Sequence, residues 1–319
     1  MYLETERQLK EKRTPTFKEA FQAAKRATVD TSANIKNKLL KELGEEGKQA
    51  VIQHDLIAGA SARAERFVRD AEKKIYKGLS KEQEALLNRA IRSRRIVAVA
   101  KYKPEVKSTM GLTIKEHEPY LKKIPENIQK RADLYFAEMR KVLDRLKHEG
   151  IISENEYKNL VSKGEYAKTK FIQYIDPEES PGFSATGRPI TVPDSGLKPL
   201  GEGSIQAMDL NSRLLLHEVI TRTENRIARN RANRALYELA DKIPDNGIVM
   251  KAEVYKTTKK GKPVYQKTPA GYTKLKVMID GKAKEMLMPN EFAKEWVTQD
   301  PLISQELANF IGWATGSKI

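Results

Sequence analysis

The side chains best suited to chemistry are sparse. Four histidines, His54, His117, His148 and His217, are scattered along the chain, and none stands at the His-Glu-x-x-His spacing that turns two ligands onto one helix face. They read as structural residues rather than metal ligands. Cysteine is absent, which excludes disulfides, thiolate metal sites and a thiol nucleophile. Gly201-Glu202-Gly203-Ser204 precedes a helix start, and its backbone N–H groups could hold an anion. No Lys-Ser/Thr pair follows at phosphate-loop spacing and no clear strand precedes it, so it reads as a turn. Neither a Gly-x-Ser-x-Gly elbow nor a Ser/His/Asp arrangement stands out, and the carboxylates sit mostly beside lysines on helix faces. No catalytic residue, metal or cofactor is expected.

What remains is charge. The formal net charge is +16, which draws a chain to polyanions: nucleic acid, acidic proteins or anionic membrane surfaces. Arg222, Arg226 and Arg229 fall at i, i+4 and i+7 on one side of a long helical pattern, and Arg89, Arg92, Arg94 and Arg95 make a second basic helix. The candidate nucleic-acid or anion contacts are Arg222, Arg226, Arg229, Arg89, Arg92 and Arg95. The competing reading is a solvated face, because Glu218 precedes Arg222 by four residues and Arg234 precedes Glu238 by four, the spacing of intrahelical ion pairs. Both helices lack the interleaved aromatics of a single-strand stacking platform and any helix-turn-helix, zinc-finger or RNA-recognition signature, so any contact is by shape or charge.

The element that carries the first stripe runs from Asp209, a candidate N-cap, to Lys242, just before Pro244. Its apolar line follows Leu216, Val219, Ile220, Thr223 and Ile227, then steps sideways to Ala228, Ala232, Ala235, Leu236 and Leu239. A buried face that shifts halfway predicts two different neighbours. Asn225, Asn230 and Asn233 are poor helix formers and point to side-chain bonds with another segment. Upstream, helices are expected at 14–27, from Thr31 to a stop at Gly44, on either side of Gly59 to Gly78, and from a capping box at Ser80 to Gln83 as far as Lys101. Small residues from Gly59 to Ala64 suit a tight helix crossing. A connector carries a weak helix at 113–122; beyond it a strong helix from Pro125 to Gly150 and a short one begun by a second capping box at Ser153 to Glu156 form a helical hairpin. After the long helix the pattern turns β, with strands at Ile248 to Tyr255 and Tyr272 to Ile279, an Asp280-Gly281 hairpin turn, and Lys276 facing Glu285. Phe292 and Trp296 share a short helix, and Leu307, Phe310, Ile311 and Ala314 a last one.

The expected fold is mainly α, a multi-helix assembly with a small antiparallel β-hairpin subdomain near the C-terminus. Its parts are an N-terminal helical region (1–104), a helical hairpin region (105–175), a proline- and glycine-rich connection (176–204), and a region with the long basic helix, the hairpin and C-terminal helices (205–319). The apolar pattern at the end, LISQELANFIGWATGSKI, suggests that the chain continues beyond 319. No apolar run is long enough to span a bilayer.

Several stretches in order resemble helix-rich regions of the large polyvalent and ejected internal virion proteins of tailed bacteriophages. They are IAGASARAERF with IYKGLS and the arginine-rich helix, YFAEMRKVLDRLKHEGIISENEYKNL with EYAKTKFI, and LLLHEVITRTENRIARNRANRAL with the hairpin around IDGKAKEMLMP. The resemblance is one of spacing and runs from about residue 50 to the end. It departs at Tyr166-Ala167-Lys168, where such proteins commonly carry an aromatic-proline pair. It implies a non-catalytic piece of a larger virion protein, oligomeric in the particle, partnered by portal, tail or other virion proteins and by phage DNA, located in the virion and then in the host cell after ejection. No catalytic residue is carried over. A chain threaded through a tail must unfold and refold without cross-links, which suits the missing cysteines and locally specified helices of low contact order.

Two other classes stay open: a sequence-independent nucleic-acid-binding protein of the infected cell, and an enzyme with its reactive groups in 176–204 or beyond 319. The nucleic-acid class makes a direct prediction. Replacing Arg222, Arg226 and Arg229 together with Ala flattens the salt dependence of DNA binding, and an unchanged slope excludes the stripe.

Overall fold

A computed structural model of the chain describes residues 32–101, 114–162, 211–258 and 263–297. Eight helices are described: α1 Ala33–Asp55, α2 Ala60–Ile75, α3 Lys81–Ala100, α4 Ile114–Lys122, α5 Glu126–His148, α6 Glu154–Ser162, α7 Ser212–Lys242 and α8 Asn290–Val297. Five strands lie between α7 and α8: β1 Met250–Lys251, β2 Val254–Thr257, β3 Pro263–Tyr265, β4 Tyr272–Ile279 and β5 Lys282–Pro289. The fold is thus mostly helical with small antiparallel sheets near the C-terminal end. The helix at 14–27, the cap at Thr31, the 176–204 connection with its Gly201–Ser204 turn, and the helix around Leu307 to Ala314 lie outside the described residues.

Helix boundaries follow local chemistry. At α3 the Ser80 N–H donates to Gln83 Oε1 (3.0 Å), and the Gln83 N–H donates to Ser80 Oγ (3.3 Å). Ser153 and Glu156 repeat the exchange at α6, at 2.8 and 3.2 Å. Gly150, at φ 65°, closes α5: the Ile151 N–H reaches Leu146 O (2.9 Å) and the Gly150 N–H reaches Lys147 O (2.9 Å), which satisfies carbonyls the helix leaves open. One start differs from the sequence reading, and one expected stop is met inside α1. The cap of α7 is Asn211 rather than Asp209, its Oδ1 accepting from the Leu214 N–H at 3.0 Å. Gly44, expected to end a helix, does interrupt it: at φ 53°, ψ −132° it divides α1 into two helical runs, and the second turns back so that Asp55 Oδ1 lies 2.6 Å from Lys36 Nζ.

The lateral step in α7 becomes two cores. Leu216, Val219, Ile220 and Ile227 pack with α2, α3 and α5 side chains that include Val68, Leu87, Tyr135 and Met139. Ala228, Ala232, Leu236 and Leu239 pack instead with Ile35, Leu39, Ile57 and Ala60 and with Leu275, Met286, Phe292 and Trp296. Buried Ala60 and Ala64 let α2 lie close along α7, and this is the most extensive helix–helix contact described. Each buried Leu or Ile contributes about 1.5–3 kcal/mol, far more than helix propensity does, so packing keeps α7 helical through its three asparagines.

The expected strand Ile248 to Tyr255 is divided. The Asn246 Oδ1 accepts from the N–H groups of Ile248 and Val249, both at 2.9 Å, and turns these two buried residues into the core. Only Met250 and Lys251 pair with β5, and β2 leaves the sheet to pair with β3 in a separate two-stranded ribbon. The β4–β5 hairpin matches its expected register. Asp280 (φ 49°) and Gly281 (φ 73°) make the turn, Lys276 faces Glu285, and Lys276 Nζ stands 3.3 Å from Glu285 Oε1. Its tip sits against the α5–α6 corner: the Gly281 N–H donates to Gly150 O at 3.0 Å, and a Cβ on Gly281 would lie 2.5 Å from Ser153 N.

In the sheet order β1-β5-β4, the outer edge of β4 faces α7. Asn230 meets it with both ends of its amide, Nδ2 donating to Met278 O (2.9 Å) and Oδ1 accepting from the Met278 N–H (2.8 Å). Asn233 Nδ2 donates to Lys276 O (2.9 Å), and its Oδ1 accepts from the Trp296 indole (3.2 Å). Two of the three helix asparagines therefore bond another segment, as their presence implied. For Asn225 the described residues supply no hydrogen-bond partner to its buried Oδ1. Asn230→Ala leaves the buried N–H and C=O of Met278 unpaired, and is expected to cost about 2–4 kcal/mol. Urea unfolding measures this, and hydrogen exchange locates the loss at the Met278 amide.

Candidate polyanion interface

On α3 the three candidate arginines separate. A residue advances about 100° around a helix, so positions i, i+3 and i+6 drift by about 120°. Arg89 is exposed, whereas Arg92 and Arg95 are only 5% and 7% accessible and turned into the protein. Arg94 pairs with Asp133 of α5 (2.6 Å), its guanidinium 4.9 Å from the centre of the Phe136 ring. Positions i, i+4 and i+7 stay within about 60° of one another. Arg222, Arg226 and Arg229 accordingly share a half-exposed side of α7, and Arg222 pairs with Glu218 at 2.9 Å, the intrahelical ion pair of the competing reading. The structure thus keeps one candidate stripe together and breaks the other apart.

A further charged group is buried where the two cores meet. Glu224 of α7 is 1% exposed and is bound by Arg145 of α5, with the guanidinium of Arg63 of α2 4.0 Å away. Burial lowers Arg63 below the ordinary arginine range, opposed by Glu224 and reinforced by Arg231 and Arg145. Arg145 also lies 4.1 Å above the centre of the Phe67 ring. Next along α7, Arg231 forks onto Glu149, with Nε 2.7 Å from Oε2 and Nη2 bonded to Oε1. That bond raises Arg231 above its ordinary range, against the effect of burial. Held between guanidinium groups of α2 and α5, the Glu224 carboxylate ties three helices together. Its signal in the sequence is Glu224 itself, a carboxylate between Ile220 and Ile227 on an otherwise apolar face.

The histidines lie apart. His54 Nε2 is 2.9 Å from Trp296 O, with the two rings 4.2 Å apart; His117 Nδ1 is 3.0 Å from Ser93 Oγ, and burial lowers its pKa. His217 Nε2 stands 3.1 Å from a Glu72 oxygen, and that hydrogen bond is the main cause holding the Glu72 carboxyl below its usual value. Among the described residues no three His, Asp or Glu side chains gather as a metal ion requires. No described helix is long and apolar enough to cross a membrane. The chain matches no family model, no curated protein and no solved structure.

The Arg231–Glu149 pair gives a pH prediction. Burial pushes the Glu149 carboxyl up, but the Arg231 hydrogen bonds and charge outweigh it and the folded pKa is depressed. A depressed carboxyl binds fewer protons folded than unfolded, so its contribution is present above the unfolded value of about 4.3 and is lost as pH falls through the folded one. Arg231 is 46% exposed, so screening limits the effect to about 1 kcal/mol or less. Glu149→Gln is expected to lower stability at pH 7 by that amount, with the difference from wild type shrinking to nothing as pH falls through the depressed folded value, as read by urea unfolding across pH.

Proposed function

We propose that this chain is a non-catalytic structural or ejection-associated module of a tailed-phage virion, held near the portal, tail or genome and delivered with DNA. The observation that carries the reading is where the phage-like stretches lie in the fold. IAGASARAERF supplies Arg63, YFAEMRKVLDRLKHEGIISENEYKNL supplies Arg145, Gly150 and Ser153, LLLHEVITRTENRIARNRANRAL supplies Glu224 and Asn230, and IDGKAKEMLMP supplies Gly281. All but Asn230, which bonds Met278, contact one another: Glu224 with Arg63 and Arg145, and Gly281 with Gly150 and Ser153. Stretches that resemble virion proteins in spacing thus meet one another inside the fold, which supports reading them as one structural module. The charge of +16 suits a protein packed against DNA or other acidic surfaces.

Quantitative mass spectrometry of density-purified particles tests this. Peptides of this chain are expected at a fixed ratio to the capsid and portal proteins. Their absence from particles, with the chain present in the infected cell, overturns the virion role and leaves the nucleic-acid-binding alternative.

A further inference from the structure

We propose that the β2–β3 ribbon is a docking surface for single-stranded nucleic acid, with Tyr255 as a base-stacking face and Lys256 and Lys267 as phosphate contacts. All four residues of β2 are exposed. Tyr255, at 71%, is the most exposed large hydrophobic side chain among the described residues, followed by its neighbour Val254 at 52%. Backbone register accounts for this. Val254 pairs with Tyr265 and Lys256 with Val264, so Tyr255 is the extra residue of a β-bulge, a device that re-aims a side chain. The other strand is the anchor: half-buried Tyr265 donates from its hydroxyl to Ala283 O of β5 at 3.4 Å.

Charge chooses the partner. Residues 251–267 contain Lys251, Lys256, Lys259, Lys260, Lys262 and Lys267 against a single acid, Glu253, whose carboxylate accepts from Gln266 Nε2 at 2.8 Å. Lys251 is tied to Asp241 and lies over Tyr237, whereas Lys256 and Lys267 are exposed. Lys256 Nζ is 5.9 Å from the centre of the Tyr255 ring, a cation beside an open aromatic face. This is the aromatic–lysine combination that both arginine helices lack. Bases expose their faces only where the stack is open, so the ring favours single strands over duplex. The surface goes beyond the virion reading and does not depend on it.

Fluorescence anisotropy of the full chain with a labelled oligothymidylate of about 15 nucleotides, and with a duplex of equal length, tests the surface. Tighter binding to the single strand is expected. Tyr255→Ala should weaken it about tenfold while Tyr255→Phe leaves it unchanged, in keeping with a stacking contact. Lys256→Ala with Lys267→Ala should reduce the slope of log affinity against log salt by about 1.4, two single-strand phosphates. Wild-type affinity in Tyr255→Ala, weakening in Tyr255→Phe as large as in Tyr255→Ala, an unchanged salt slope, or a preference for duplex each overturns the proposal. Particle composition is read separately, so failure here leaves the virion reading standing.

Discussion

A strand at the edge of a sheet leaves backbone N–H and C=O groups without partners, and a helix, whose own backbone is bonded internally, has none to lend. Burying β4 against α7 is possible only because side chains take the place of a neighbouring strand. The Asn230 amide offers a donor and an acceptor as a peptide group does, and Met278 receives both. Asn233 serves Lys276 O and then the indole of Trp296, so the same device reaches α8. Turning α7 by one residue would swing both amides about 100° away from the edge. The rotational setting of the long helix, and with it the core beneath the sheet, follows from these bonds.

Glu224 constrains the same helix from the other side. Removing two charges from water costs several kcal/mol each, and their attraction recovers this only with good geometry, so the cluster with Arg63 and Arg145 adds little net stability. Its effect is one of selection. Arrangements of α2, α5 and α7 that leave the carboxylate buried without guanidinium partners are costly, by about 3–5 kcal/mol. Amides toward the sheet and a carboxylate toward the helices together leave α7 one way to lie between its two cores.

Much of this was legible where the determinant is local. Ser80 with Gln83 and Ser153 with Glu156 cap through atoms three residues apart, and Asp280-Gly281 sets the register that places Lys276 opposite Glu285. The sideways step from Ile227 to Ala228 announced two neighbours, and the asparagines announced a polar partner without naming it. What stayed hidden depends on distant chain. Ile248 to Tyr255 has a strand's composition, but Asn246 captures its first amides and β3 draws off its end. The burial of Arg92 and Arg95 follows from what packs around α3, which no pattern within the helix records. Nor are the contacts of low order throughout, since α1 packs on α7 and α8 from the far end of the chain.

Those α1–α8 contacts give the fold a mechanical character. Glu295 accepts from the Ile35 N–H (2.8 Å) and the Asn34 amide (3.1 Å), while the Trp296 ring lies tilted against His54 and Phe292 lies beneath Lys38. Residues near the start and finish of the described chain are thus fastened side by side. Tension drawn between them would load this fastening at its open end and strip it contact by contact, as a zip is undone. A protein so joined meets a pull between these residues at one seam, before either core is loaded.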